Sequence, residues 1–188
     1  AHIPGLKVVV PSTPHDAKGL MIAAIESDDP VIFMEPKRIY RAIKQEVADG
    51  KFTIPLGKAN VVSEGKDVTV VAYGAMVREV QRAMVMAKEQ GISVELIDLR
   101  SIYPIDRDAI AKSVKKTGRL ITVTEGPRSF SVASEISQIA IEEAFLYLEA
   151  PPSRVTGFDT IVPLPRGESH YMQDPYKILY EIEKIVKY

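Results

Sequence analysis

The sequence predicts an α/β protein, three layers in an αβα arrangement around a mostly parallel sheet. Two observations carry that expectation. Short β-branched runs such as Val68-Thr-Val-Val71 and Leu120-Ile-Thr-Val123 alternate with longer stretches of helical apolar spacing, and Gly, Pro or Asp closes each junction. A third observation sets the scale: 188 residues with 46% hydrophobic content bury one substantial domain, or one domain and a piece of another.

The first thirty-six residues read as strand, helix, strand. Leu6–Val10 is a compact apolar run. Pro14 in a first helical turn, with Ser12 or Thr13 before it, starts a helix whose apolar positions are Ala17, Leu20, Met21, Ala24 and Ile25. Ser27-Asp28-Asp29-Pro30 stops it, and Val31–Met34 fits a buried parallel strand. One βαβ unit cannot cover both faces of its own sheet. It calls for a larger body.

Residues 37–57 lose this regularity and read as a surface linker around Lys37-Arg38, Asp49-Gly50 and Pro55. Residues 58–188 then form the second unit. Asp67–Tyr73 is a strand, Gly74 a turn, and Met76–Gln90 an amphipathic helix closed by Gly91. Val94–Leu99 is a strand, Asp106–Lys116 a helix ended by Gly118, and Leu120–Thr124 a strand. Ser131–Leu148 reads as one long helix, Arg154–Thr156 as a short last strand, and Ile178–Val186 as a terminal helix.

Several function classes lose support at once. A formal charge of -1, with no long basic run, argues against nucleic acid or a membrane surface as partner. No cysteine is present, so thiolate metal sites and a cysteine nucleophile are absent. His2, His15 and His170 lack metal-binding spacing, and neither a GxSxG elbow nor a P-loop occurs. No apolar stretch is long enough to span a bilayer, and residues 1–4 lack the pattern of a signal peptide. The expectation is a cytoplasmic protein, or one of the mitochondrial matrix if the source is eukaryotic. Ala1 in place of an initiator Met reads as trimming or as the edge of a longer chain.

Three places offer chemistry, each with a plainer reading beside it. Gly74, at a strand-to-helix junction, exposes backbone N–H groups to an anion, or is simply the residue a tight turn needs. Ser27-Asp28-Asp29 places carboxylates beside free helix carbonyls, an oxygen-rich set for a hard cation, or is a solvated helix stop. Glu125 follows a strand end, where open α/β sheets place ligands; it acts as an acid or base there, or pairs with Arg128 or Arg119. The terminal helix, Glu181–Tyr188, docks on the sheet and offers a final carboxylate to a partner.

Long segments resemble one known family. Ala1-His-Ile-Pro-Gly-Leu-Lys-Val-Val-Val-Pro-Ser-Thr-Pro-His15 and Asp29-Pro-Val-Ile-Phe-Met-Glu-Pro-Lys-Arg-Ile-Tyr40 resemble the middle of beta subunits of the pyruvate and branched-chain 2-oxo acid dehydrogenases. The likeness continues in order through Ile54-Pro-Leu-Gly-Lys-Ala59, Val94-Glu-Leu-Ile-Asp-Leu-Arg100, Ser113–Arg119 and Arg154-Val-Thr-Gly-Phe-Asp-Thr160.

That resemblance implies a division: 1–36 as the last piece of a thiamine-diphosphate pyrimidine-binding domain, 37–57 as linker, and 58–188 as a transketolase C-terminal-like domain. It implies oxidative decarboxylation of a 2-oxo acid by the intact enzyme, with acyl transfer to lipoyl-lysine. The cofactors it implies are thiamine diphosphate and magnesium, bound mainly outside this chain, so the resemblance assigns no catalytic and no cofactor-binding residue here. The partners it implies are an alpha subunit, a second beta subunit and a lipoyl acyltransferase core. It also implies a monovalent-cation site, usually potassium, at Ala24, Ser27 and Asp29, with Ser27 in place of the usual Asp. Thr124-Glu-Gly-Pro127 and Ser129-Phe-Ser-Val132 depart from the family's His-Glu-Ala-Pro and Gly-Gly-Phe-Gly, giving a bulkier loop. Two further readings are a non-catalytic dimerisation or partner-binding module, and the tail of a transketolase or deoxyxylulose phosphate synthase. Residues 1–36 are expected to be disordered or differently packed without the other half of their domain.

Overall fold

The computed structural model describes residues 1–188. It begins with strand β1 (Lys7–Val9), helix α1 (Pro14–Ile25) and strand β2 (Val31–Phe33). Thr13 caps α1, its hydroxyl accepting from the Asp16 N–H at 3.1 Å, and Pro14 needs no N–H there. Strand β3 (Asn60–Ser63) and strand β4 (Val68–Ala72) follow, then α2 (Ala75–Glu89), β5 (Val94–Asp98) and β6 (Ser101–Tyr103). The chain continues as α3 (Arg107–Thr117), β7 (Leu120–Val123), α4 (Val132–Ala144), β8 (Ser153–Val155), α5 (Pro165–Tyr171) and α6 (Pro175–Val186).

The larger sheet runs β3-β5-β4-β7-β8, parallel except for β3 at the edge. Its central strands are buried on both faces, as their continuous apolar runs require. Successive side chains alternate between two cores. Val70, Leu96 and Ile121 pack with Met76 and Val80 of α2 and with Ile178 and Ile182 of α6. Val71, Ile97 and Leu120 pack with Ile110 and Val114 of α3 and with Ile136 and Ile139 of α4. Helices therefore cover both faces, the three-layer arrangement the alternation predicts. Asp106 caps α3 through the Ala109 N–H, and Gly118 ends it at φ +68°, where a Cβ is disfavoured.

The expectation for residues 1–36 is corrected. Val31–Phe33 is an ordered strand, paired in parallel with β1. What anchors the piece is the opposite edge of β1, which pairs antiparallel with β6 and makes a sheet of order β2-β1-β6. The segment 37–57 adds a second anchor. The Ile54 N–H donates to the Gly19 carbonyl at 3.1 Å, the Phe52 ring stacks on His15 at 4.7 Å, and Ile54 is buried. A Cβ on Gly19 would lie 2.6 Å from Ile54, so the helix needs glycine there to let this segment approach. The outer side stays open: Ile25, Ile32 and Met34 are exposed.

The long helix expected over Ser131–Leu148 is also shorter than its apolar spacing suggests. Regular helix ends at Ala144, and Phe145–Tyr147 form a 3-10 turn whose three side chains all face solvent.

Candidate functional site

A polar cleft lies where the two sheets meet. Ser12 and Thr13, at the start of α1, face Asp98 at the C-terminal end of β5 and Arg100 just beyond it, around a cavity of about 330 Å³. The Ser12 hydroxyl donates to Asp98 Oδ2, and the Arg100 N–H donates to Asp98 Oδ1 at 3.1 Å. Arg100 Nη2 donates to Asp16 Oδ1 at 2.6 Å. Arg100 holds φ +56°, a left-handed backbone that a side chain adopts at a cost of about 1–2 kcal/mol. The surroundings hold it: the N–H and carbonyl are both bonded, the carbonyl accepting from the Val10 N–H at 2.8 Å, and Nη2 reaches Asp16, while Nε is buried without a partner.

Asp16 and Asp98 are both buried, 2% and 1% exposed. Burial pushes the Asp98 carboxyl up to about 6, with nearby Asp16 adding to it, while Ser12 and Arg100 pull the other way. The ordinary value is 3.8, so between about pH 4 and pH 6 the folded chain binds more protons than the unfolded chain. Stability therefore falls as pH rises through that window, by roughly 3 kcal/mol for a two-unit shift. Asp98→Asn, which mimics the protonated acid, is expected to flatten the urea midpoint between pH 4 and pH 7; an unchanged slope contradicts the assignment.

Ser12, His15 and two aspartates share this cleft, but they do not make a nucleophile and base. The Ser12 hydroxyl is given to Asp98, and His15 Nδ1 lies 3.5 Å from Asp16 rather than beside Ser12. The arrangement clamps two units together. Sequence reading missed it because its bonds join residues more than eighty apart; the signal available was an Asp ending a buried strand.

Glu125 sits past the end of β7, facing a second cavity of about 330 Å³ lined by Val8, Val10, Met34, Tyr73 and Val132. It pairs with neither expected arginine: Arg119 binds Glu149 at 2.6 Å, and Glu125 Oε1 is buried without a hydrogen-bond partner. Burial raises its pKa, against the pull of Arg38. Gly74 opens α2 beside this cavity at φ +56°, where an added Cβ would lie 2.9 Å from Val10. The turn itself therefore demands glycine.

At the end of α1, Ser27 and Asp29 come together around a lysine. Lys7 Nζ donates to Ser27 Oγ at 3.1 Å and lies 3.0 Å from Asp29 Oδ2, while the Ala24 carbonyl accepts from the Ser27 N–H at 3.4 Å. No three His, Asp or Glu side chains converge as metal ligands.

The topology and the two cavities at strand ends invite comparison with known proteins. The family model for the transketolase C-terminal domain matches residues 57–178, and that for the transketolase pyrimidine-binding domain matches residues 1–43. The chain belongs to the transketolase C-terminal-domain family. Within this family its sequence is similar, end to end, to beta subunits of 2-oxo acid dehydrogenases. The pyruvate dehydrogenase E1 component subunit beta of Acholeplasma laidlawii is 56% identical over 185 residues, 98% of this chain and 57% of the relative. The mitochondrial 2-oxoisovalerate dehydrogenase subunit beta of Dictyostelium discoideum is 50% identical, over 100% of this chain and 50% of the relative. The chain thus spans about half the length of the curated relatives it matches. Among solved structures, a split-gene transketolase described as an inactive beta4 tetramer superposes with a TM-score of 0.81 at 25% identity. That match covers 99% of this chain and 59% of the other. The transketolase-type fold expected from the sequence is the fold observed, and no helix is long and apolar enough to cross a membrane.

Proposed function

We propose that this chain works as part of the beta subunit of a thiamine-diphosphate-dependent 2-oxo acid dehydrogenase. The observation that carries this reading is the uninterrupted likeness to such subunits, at 56% and 50% identity across essentially all 188 residues. The division into a pyrimidine-domain piece at 1–36, a connecting segment at 37–57 and an assembly domain at 58–188 belongs to the same reading. The segment 37–57, which carries no strand, supports it, and β6 joins the first piece to the second by pairing with β1.

When bound, thiamine diphosphate supplies the covalent chemistry of 2-oxo acid decarboxylation. The residues present do not fit it alone. The buried carboxylates are committed to protein partners, as Asp16 and Asp98 are, or stand in an apolar pocket, as Glu125 does. No three His, Asp or Glu side chains converge to hold a magnesium ion. In the proposed subunit the cofactor lies against sequence outside this chain and against the alpha subunit. The open side of β2, with exposed Ile25, Ile32 and Met34, is the natural seat for the rest of the pyrimidine domain. A potassium ion at Ala24, Ser27 and Asp29 is part of this reading. It competes there with the Lys7 ammonium, which already brings one positive charge to the same oxygens.

Complex formation is the test. Mixing the chain with the alpha subunit of a close relative and measuring mass by light scattering is expected to give a species containing both. The two eluting only as separate species would overturn the assembly role. The second reading, a stand-alone dimerisation module, is favoured by a stable dimer that ignores the alpha subunit.

A further inference from the structure

The Asp49-Gly50 pair takes no part in either cleft, yet its setting gives it chemistry of its own. Both residues are exposed, in a bend outside every strand and helix. The Gly50 N–H donates to no carbonyl of the chain, so its nitrogen is free to move. The space around Gly50 is open as well: an added Cβ would meet no atom within 4 Å, whereas one on Gly19 would strike Ile54. Gly50 therefore serves no packing need. It leaves the peptide free to turn.

A lysine completes the arrangement. Lys18 Nζ donates to the Asp49 main-chain carbonyl at 3.1 Å and to the Ala48 carbonyl, and it stands 5.2 Å from the centre of the Phe52 ring. Phe52 is itself stacked on His15, so the ammonium is held between α1 and the bend. It reaches the peptide carbonyl of Asp49 rather than the carboxylate. The peptide nitrogen of Gly50 becomes a nucleophile only as its proton leaves. Negative charge then gathers on the Asp49 carbonyl oxygen, where a fixed cation stabilises it.

We propose that Asp49-Gly50 is a self-modification site, at which Lys18 assists the conversion of Asp49 to isoaspartate. The Gly50 nitrogen attacks Cγ of the Asp49 carboxyl, protonated from solvent, and forms an N–C bond. The carboxyl hydroxyl leaves with the amide proton as water, and a cyclic succinimide remains. Water then opens the ring. Opening at Cγ restores aspartate; opening at the main-chain carbonyl carbon routes the backbone through Cβ and Cγ and frees the former carbonyl as a carboxylate. Water lost in the first step is regained in the second, with no change in mass or oxidation state. The new carboxylate forms where the Lys18 ammonium already stands, which favours the second opening. The main chain gains a methylene just before the contacts that hold the segment on α1: the Lys51 pair with Glu26, the Phe52 stack, and the Ile54 N–H to the Gly19 carbonyl at 3.1 Å. The reaction uses only groups of this chain and does not rest on the subunit reading.

Storage of the purified chain in neutral buffer at physiological temperature, sampled over weeks, tests it. Trypsin cuts after Lys44 and Lys51 and releases residues 45–51 as a single peptide, in which electron-transfer fragmentation separates isoaspartate from aspartate at equal mass. The isoaspartyl form is expected to accumulate steadily there. Gly50→Ala should slow its formation about tenfold, because a Cβ hinders the turn of the peptide. The melting temperature of that variant should hold, since the added methyl meets nothing. Lys18→Met should slow the reaction several-fold, and Lys18→Arg, which keeps a cation at the carbonyl, should retain most of the rate. The proposal is overturned if the parent peptide keeps only aspartate, if Gly50→Ala accumulates isoaspartate at the parent's rate, or if Lys18→Met does so as fast or faster.

Discussion

Arg100→Ala is expected to destabilise the chain by about 3–5 kcal/mol, the cost of removing one partner from a buried ion pair. Its guanidinium holds Asp16, which is 3% exposed along its side chain, and no other Lys or Arg pairs with that carboxylate. The left-handed backbone remains strained with alanine, so nothing offsets the loss. Urea denaturation followed by circular dichroism measures it. Adding Asp16→Asn to Arg100→Ala should recover part of the loss, since it removes the stranded charge. A cost under about 1 kcal/mol, the size of a surface pair, would mean that the cleft does not clamp the two sheets together.

Gly65→Ala is expected to cost about 3 kcal/mol or more, beyond the usual range for an added methyl, because backbone rather than side chain blocks it. An added Cβ would lie 2.2 Å from both the Glu95 nitrogen and the Val94 carbonyl carbon of β5. The turn has little room to withdraw. The Lys66 and Asp67 N–H groups donate to the Ser93 carbonyl at 3.3 and 3.0 Å, and the Gly65 N–H donates to Glu95 at 3.2 Å. Glu95 is itself buried and bonded to Ser113 and Lys116, so shifting the turn disturbs that network too. Near-parent stability in the same urea titration would show that the turn can move away from β5.

How much of this was legible beforehand follows from the range of the forces involved. Strands β4, β5 and β7 announce themselves because they are buried on both faces and carry unbroken apolar runs. Helix α3 announces itself through Asp106 and Gly118 at its ends. Strands β3 and β6 do not. Asn60–Ser63 and Ser101–Tyr103 are strands only because β5 and β1 supply hydrogen bonds to them, and no local pattern encodes a distant partner. Phe145, Leu146 and Tyr147 misled in the opposite direction, continuing a helical apolar spacing on a face that turns to solvent.

The same holds for the sites. Glu125 lies past a strand end as the sequence pattern suggests, but neither Arg119 nor Arg128 pairs with it, and the buried oxygen without a partner is a property of the fold. Ser27 and Asp29 do converge, yet the cation between them is Lys7, twenty residues away from Ser27 along the chain. Family likeness was the strongest signal in the sequence because it integrates over many weak positions. Single-residue chemistry was the weakest, since it depends on contacts that the order of residues does not display.

On the proposed reading, thiamine diphosphate binds only where this chain is joined by the rest of the beta subunit and by the alpha subunit. Isothermal titration of thiamine diphosphate with magnesium into the purified 188-residue chain addresses it directly, with the complete beta subunit plus alpha subunit of a close relative as the positive control. The prediction is saturable binding by the complete pair and no measurable heat with the chain alone; micromolar binding by the chain alone would contradict it.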